Sequence, residues 1–337
     1  MSNAMSTTER RLVGIRAVAA RAGVSAATVS LILNGKGSFP ATTQARVLAA
    51  AQDLGYRPHP AARSLAGIRT RVVALAFSHR EAIPFPLTDI DYFARAINGA
   101  TEEALLRDHS IVVAPPTPQT DVWFRLPLDG VIVFDPVLGD PVPAELRARS
   151  IPMVVVGRDP NGDFDDPCVD NDAVGATWMA LDHVWGVGAR RPALATFPLM
   201  DAFVTDCERA YRDWCEERSI EPVVWVPPAS WDRAPRESVA ELLASAKPDA
   251  IIALEDILGI ESAAAAAELG VDVPAGLKVV AFSDRESFPG VPLTSVQLDP
   301  ARTARAAVGM LIDSIEQGGL EQRSLNIPVR LVRRAST

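Results

Sequence analysis

Between residues 14 and 56 three short helical patterns are set off by two glycines, and that punctuation leaves little choice of fold. Ile15–Ala22 carries Ile15, Val18 and Ala19 at helical spacing and stops at Gly23, a residue suited to the left-handed turn at a helix end. Ser25 then stands in a good N-cap position for a second helix, Ala26–Leu33, because its hydroxyl can accept from an orphaned backbone N–H. A third pattern over 42–54 puts Val47, Leu48, Ala51 and Leu54 on one face and ends at Gly55. Two short helices across a tight turn, closed by a third, make a helix-turn-helix that offers its second helix to a major groove.

The chain as a whole is acidic, with a net charge of −9 over 337 residues, which taken alone disfavours nucleic acid. The distribution of charge points the other way. Residues 1–70 hold nine basic side chains against Glu9 and Asp53, a net of +7, so the remainder carries −16. A basic head on an acidic body is the electrostatic footprint of a DNA-binding module joined to something else, although a solvated basic arm would give the same charge. The opening Met1-Ser2-Asn3-Ala4-Met5 reads as a cloning scar before a second methionine, and residues 1–11 are expected to be tag and disordered N-terminus. Apolar runs such as 131–134 and 153–156 are far too short to span a bilayer, so no membrane partner is expected and a cytoplasmic, nucleoid-associated location is. Cys168, Cys207 and Cys215 are odd in number with no C-x-x-C spacing, and the four histidines are scattered. Reduced thiols, no metal ligands and no cofactor are the expectation.

Fixed spacing carries the most specific signal. Val18-Ala19-Ala20-Arg21-Ala22-Gly23-Val24-Ser25, then Thr28-Val29-Ser30 and Leu33-Asn34-Gly35, resembles the headpiece of the LacI/GalR family of transcriptional regulators. The resemblance continues through Arg46-Val47, Leu54-Gly55-Tyr56-Arg57-Pro58 and Ala62-Arg63-Ser64-Leu65. It implies DNA contacts from Ser25, Ala26, Ala27, Thr28, Ser30, Leu31 and Asn34, with Arg63 and Leu65 in a following hinge. Ser25, Thr28 and the helix N-terminus suit phosphates, which fix register without reading sequence. The base-reading positions fall on Ala26, Ala27 and Leu31, where the family commonly has a long polar reader at position 31. Alanine and leucine offer apolar contact alone, for which thymine methyls are the natural target; Leu31 packed on the third helix is the alternative. Residues 58–67 predict a helix of about two turns, too short to be stable unsupported. The resemblance implies that paired hinge helices of a homodimer lie in the minor groove with Leu65 as a wedge; the bland reading is an Ala-rich linker.

From Arg71 onward, β-branched runs at 72–77, 111–114, 130–134, 153–156, 192–196, 222–226, 250–254 and 278–282 alternate with amphipathic patterns at 92–107, 174–185, 206–218, 236–246 and 258–269. Such alternation predicts an α/β body of doubly wound parallel sheets in two lobes, with ligands at the carboxyl ends of the strands. The resemblance implies a periplasmic-binding-protein-like pair of lobes around an effector. It rests on Asp129-Gly130-Val131-Ile132, Val169-Asp170-Asn171, Gly188-Ala189-Arg190-Arg191, Val279–Asp284 and Leu293-Thr294-Ser295-Val296. The proline-rich stretch 115–128 predicts a trimmed flank on the first lobe. Expected boundaries are 12–57 for the DNA-binding domain, 58–70 for hinge helix and linker, and 71–337 for effector binding and dimerisation. Within the last, lobe 1 is expected at about 71–169 and 300–325, and lobe 2 at about 170–298 and 326–337.

Tyr92 and Phe93 match family aromatics that stack on ligand rings, and Asp284 matches an aspartate that accepts from ligand hydroxyls or amines. Asp201 stands where the family often has arginine, and Glu255 where it often has Asn; Trp231 lies in a loop within reach. A site with Asp201, Glu255 and Asp284 would repel carboxylates and phosphates and favour polyhydroxylated or amine-bearing ligands. Solvated loop carboxylates remain the alternative for Asp201 and Glu255. His183, on an amphipathic helix beside Val184 and Trp185, reads as structural. The expected activity is sequence-specific regulation of transcription, as a repressor dimer on a palindromic operator, with the small effector either releasing the DNA or promoting its binding. A solute-binding protein of transport shares the bilobal body but would carry a signal peptide and no headpiece. Neither a P-loop, a G-x-S-x-G nor a Cys–His constellation is present, so no catalytic residues are expected.

Overall fold

The computed structural model describes residues 14–33, 36–56, 69–78, 90–114, 126–162, 165–198, 200–226, 235–320 and 322–337. The chain divides into two compact units, Met1–Thr70 and Arg71–Thr337. Asn34, Arg63, Leu65, Trp231, the expected hinge helix and positions 115–125 of the expected trimmed flank lie outside the described residues.

The first unit contains α1 (Ile15–Ala22), α2 (Ala26–Leu33) and α3 (Ala41–Asp53). Gly23 ends α1 with φ at 64°, a left-handed conformation that costs glycine nothing and a Cβ-bearing residue about 1 kcal/mol or more. Val18, Ala19, Ala22, Val29, Val47, Ala50 and Ala51 form the core. Small side chains let three short helices approach closely. Leu48, expected on the buried face, is 53% exposed. The stripe that faces inward is Val47, Ala50, Ala51 and Leu54, at i, i+3, i+4 and i+7, and Leu48 sits one residue off it.

The second unit is built from two six-stranded sheets. In chain order the first part runs β1 (Val72–Phe77), α4 (Asp91–Leu106), β2 (Ser110–Ala114), β3 (Gly130–Phe134), α5 (Pro141–Ala148), β4 (Met153–Val156) and β5 (Cys168–Asn171). The second part runs α6 (Ala173–Gly186), β6 (Pro192–Ala195), α7 (Ala202–Glu217), β7 (Val223–Trp225), α8 (Pro235–Ser245), β8 (Ala250–Ala253), α9 (Asp256–Glu268), β9 (Lys278–Phe282) and β10 (Thr294–Gln297). The chain then returns through α10 (Pro300–Gln317) to β11 (Ser324–Ile327) and crosses again to β12 (Arg330–Val332). Sheet one has the order β11-β5-β4-β3-β1-β2 and sheet two β12-β10-β9-β8-β6-β7. The pairings are parallel, as the βα alternation predicts, apart from the short edge strand β12, which runs antiparallel to β10.

Strands β3, β4 and β8 are buried at every position, the continuous apolar pattern of parallel strands covered by helices on both faces. The lobes repeat one locking device. Asp129, just before β3, accepts the Arg71 N–H at 2.7 Å, and Asp249, just before β8, accepts the Arg190 and Arg191 N–H groups at 2.8 Å each. Each carboxylate fixes the start of the neighbouring strand, β1 or β6, through charge-assisted bonds.

Several elements escaped the sequence pattern. Helices α5 and α10 both begin on proline, which reads as a breaker along a sequence but suits a first helical turn. Asp140 and Asp299 cap them by accepting the N–H of Val142 and Arg302. Helix α7 starts at Ala202, not 206, because Asp201 caps it through the Val204 N–H at 2.7 Å. Strands β5, β10, β11 and β12 span only three or four residues, too few for periodicity to show.

The chain crosses between the lobes at Asp172, at Leu298–Asp299 and at Pro328–Val329. Asn171 laces all three: its side-chain amide donates to Leu298 O at 3.0 Å and Ile327 O at 3.1 Å while its backbone enters the first crossing. His183, the expected structural histidine, bonds Thr337 Oγ1 at 2.8 Å, and burial together with Arg333 holds its pKa below the usual value. The three cysteines are free thiols, and burial pushes Cys207 up to about 12, so it is inert near neutrality.

Candidate nucleic-acid interface and ligand cleft

At the start of α2 the Ser25 hydroxyl accepts the Thr28 N–H at 3.0 Å and lies 2.8 Å from the Thr28 hydroxyl. The cap is therefore already made within the chain, and both hydroxyls stay near the helix N-terminus. Ser25 and Ala27 are exposed, Thr28 and Ser30 half-buried, and Leu31 is 41% exposed. Ala27 and Leu31 stand at i and i+4, on one solvent-facing stripe. Leu31 is thus turned out, not packed away as the alternative reading had it. Ala26 differs from the other two expected readers, since it packs against the core of the unit. Arg16, Arg21, Lys36 and Arg46 are all exposed, and Arg21 reaches Asp53 across 3.4 Å, a solvated pair of little energetic weight.

The second unit contains a narrow cleft of about 70 Å³. Its walls come from the carboxyl ends of the parallel strands. From the first sheet come Asp135 after β3, Val156 and Gly157 at the end of β4, and Asp170 and Asn171 in β5. From the second come Phe197 after β6, Glu255 after β8, and Phe282 and Asp284 at and after the end of β9. The helix starts add Asp91 and Tyr92 from α4, and Asp201 and Phe203 from α7. This is the location that doubly wound sheets dictate, because each strand ends there and the following helix turns away, leaving a crevice. The two lobes touch at the rim, where the Leu138 N–H meets Met200 O at 2.9 Å and Arg158 of the first lobe pairs with Asp206 of the second.

Tyr92, Phe93, Asp201, Glu255 and Asp284 all line this cleft, although they are far apart in sequence. Their roles divide. Tyr92 donates to Asp135 Oδ2 at 3.2 Å, and burial with that carboxylate raises its pKa well above the ordinary value, so it stays a neutral donor. Phe93 is 5% exposed and meets Phe77 edge-on at 5.2 Å in the core of the first lobe. Adjacent helical residues point about 100° apart, and Phe93, though it borders the cleft, buries most of its ring in the core. Tyr92 takes the cleft and Phe93 the core. Asp201 is a buried helix cap as well as a wall. Asp284 accepts the Leu298 N–H at 3.1 Å and the Asp299 N–H at 3.0 Å, so it holds a crossing between the lobes. Burial raises its pKa against those two bonds, and that of Asp170 likewise. Glu255 occupies the N-cap position of α9 in an extended conformation, yet its side chain caps nothing. Burial, then Asp256, Asp135 and Asp201, lift its pKa well above the carboxylate range.

Sequence reading missed Asp135, Asp170, Phe197, Phe203 and Phe282. The signal was their place at a strand's end or a helix's start. Asp135 carries a further mark, φ at 45°, a conformation that costs a non-glycine residue about 1–2 kcal/mol. Asp256, which also lines the cleft, is ion-paired with Arg285. Among the described residues no cluster of His, Cys, Asp and Glu has metal-holding geometry.

The family profile for bacterial regulatory proteins of the lacI family matches residues 14–59, and that for a periplasmic binding protein-like domain matches 181–337. The HTH-type transcriptional regulator AglR of Rhizobium meliloti (strain 1021) is 29% identical, over 96% of this chain and 94% of that protein. The HTH-type transcriptional repressor PurR of Proteus mirabilis (strain HI4320) is 27% identical over 96% of each. In fold, the chain resembles the Lac repressor dimer bound to operator and the anti-inducer ONPF (TM-score 0.78, 21% identity, 97% of this chain and 99% of that one). It also resembles the transcriptional regulator CelR in its cellobiose complex (TM-score 0.69, 24% identity, 96% and 100%). The chain thus joins a lacI-family helix-turn-helix domain to a periplasmic-binding-protein-like domain, and over nearly its whole length it is similar to bacterial transcriptional regulators of the LacI type.

Proposed function

We propose that this chain is a ligand-controlled repressor that binds a palindromic DNA operator as a homodimer, in the cytoplasm and on the nucleoid. The observation that carries this reading is the joining of two devices in one chain. One is a helix-turn-helix with Ala27 and Leu31 facing solvent beside the capped start of α2; the other is a two-lobed unit with a cleft at the carboxyl ends of its strands. Relatives named as transcriptional regulators and a repressor, and a fold neighbour bound to operator, support it. Ser25, Thr28, Ser30 and Asn34 anchor α2 on phosphates, Ala27 and Leu31 touch thymine methyls with Ala26 packed behind them, and Arg63 and Leu65 engage the minor groove. The effector is a small neutral or cationic compound, a sugar, nucleoside or amine, held by Tyr92, Asp201, Trp231, Glu255 and Asp284 with Phe93 as backing. Closure of the lobes on it changes the affinity for DNA, and linkage requires that DNA change the affinity for effector by the same factor.

The test is fluorescence anisotropy on near-palindromic duplexes from the DNA adjoining the gene. A specific site should bind, and raising salt from 50 to 200 mM should weaken it about a thousandfold, as expected for some six phosphate contacts. Leu31→Lys should change which half-site is preferred, because a long donor would seek guanine in place of a methyl group. Affinity equal on all duplexes, or independent of salt, would refute the reading.

A further inference from the structure

We propose that the effector of this cleft carries a positive charge, and that Glu255 is the group that receives it. The inference rests on the reading of the cleft as an effector site and narrows the class of compound. Glu255 follows β8 and faces the cavity with an extended backbone (φ −143°, ψ 153°). In the N-cap position a carboxylate ordinarily accepts a backbone N–H of its own helix. This one does not, and it makes no hydrogen bond or ion pair with any described residue. The charges that bear on it most strongly among the described residues, Asp256, Asp135 and Asp201, are all of its own sign.

The rest of the described lining points the same way. Asp91, Asp135, Asp170, Asp201, Glu255, Asp256 and Asp284 contribute to it, and no described lysine, arginine or histidine does. The guanidiniums nearby are not part of the lining and are paired: Arg95 with Asp91, Arg158 with Asp170 and Asp206, Arg285 with Asp256. Each balances a carboxylate other than Glu255. Phe197, Phe203, Phe282 and Tyr92 add aromatic rings to the lining, and a ring face, with its negative quadrupole, favours a cation over an anion. A neutral polyol could use these acceptors too, but it would leave the repulsion around Glu255 in place. An ammonium or guanidinium group removes that repulsion and gains a charge-assisted hydrogen bond at once. The raised pKa of Glu255 fits a carboxyl whose charge is costly until a cation arrives.

The experiment uses the full chain and two matched probe sets at constant ionic strength, followed by thermal shift and calorimetry. One set is glucosamine, glucose and glucuronate; the other is butylamine, butanol and butyrate. The amine of at least one set should bind about tenfold or more tighter than its neutral partner, the usual margin of a charged over a neutral hydrogen bond, and the carboxylate should bind weakest. Glu255→Gln, which keeps size and shape, should remove that margin; Glu255→Asp should restore part of it, which separates loss of charge from loss of fold. Neutral members binding as tightly as amines, no amine binding in either set, or a margin that survives in Glu255→Gln would each overturn the proposal. If a neutral sugar binds and shifts operator affinity, the effector cleft stands and the cation is refuted. If probes bind and operator affinity never moves, the effector reading falls with it.

Discussion

Replacing Trp214 by alanine should cost the second unit about 3–5 kcal/mol, a fall in melting temperature of roughly 10–15 °C. Trp214 is wholly buried on α7, and its ring meets Trp185 edge-on at 5.6 Å. The Arg218 guanidinium carbon lies 4.1 Å from the ring centroid, and Nε1 donates to Asp182 Oδ1 at 2.8 Å. Truncation therefore removes the largest side chain of the second lobe's core and opens a cavity that α6 and α7 cannot close without moving. The hydrogen bond is the smaller part. Asp182 is 54% exposed and also pairs with Arg218, so water and the guanidinium satisfy it when the indole leaves. Trp214→Phe should consequently lose only about 1–2 kcal/mol. Urea midpoints for both variants check the ranking, and an equal loss for Phe and Ala would show that the indole N–H, not the packed volume, carries the stability.

Gly99→Ala should destabilise by about 3 kcal/mol, although alanine is by far the better helix former. Gly99 lies in the middle of α4, where a glycine ordinarily costs about 1 kcal/mol relative to alanine. An added Cβ would stand 2.2 Å from the Ala301 carbonyl oxygen and 2.7 Å from its Cα, at the start of α10. Both obstacles are backbone, so no rotamer change relieves them, and the two helices must separate. The same movement reaches the cleft, because α4 begins with Asp91 and Tyr92 and α10 begins beside the crossing that Asp284 holds. Weaker ligand binding should accompany the loss of stability. Chemical denaturation decides the matter: a stabilised Gly99→Ala would mean that α4 and α10 do not approach this closely.

The headpiece was largely legible along the chain because its determinants are local. Helix spacing, Gly23 and the Ser25 cap act within a few residues of one another, and the observed α1 and α2 keep the expected limits. Leu48 shows the limit of that legibility, since its placement turned on one step of helical phase. In the second unit the central strands were legible from their continuous apolar runs, whereas α5, α10 and the short strands were not. A proline at a first turn and a strand of four residues carry no periodic signature, and only neighbours in space reveal them.

The candidate site divides along the same line. Residue type and resemblance singled out Tyr92, Glu255 and Asp284, but not the division of labour between Tyr92 and Phe93, which depends on which ring the helix turns toward the core. Nor could the sequence distinguish Asp201, which caps α7, from Glu255, which stands at the start of α9 and caps nothing. By itself, then, the sequence determined the kind of machine this is: a three-helix DNA-binding head and an α/β body of two lobes, because helix caps and apolar periodicity operate over short stretches of chain. The tertiary structure alone decided which carboxylates of the cleft are committed to helix caps and lobe crossings and that Glu255 caps nothing. Hydrogen-bond partners such as Leu298 for Asp284 come from across a crossing, and no spacing within the chain announces them.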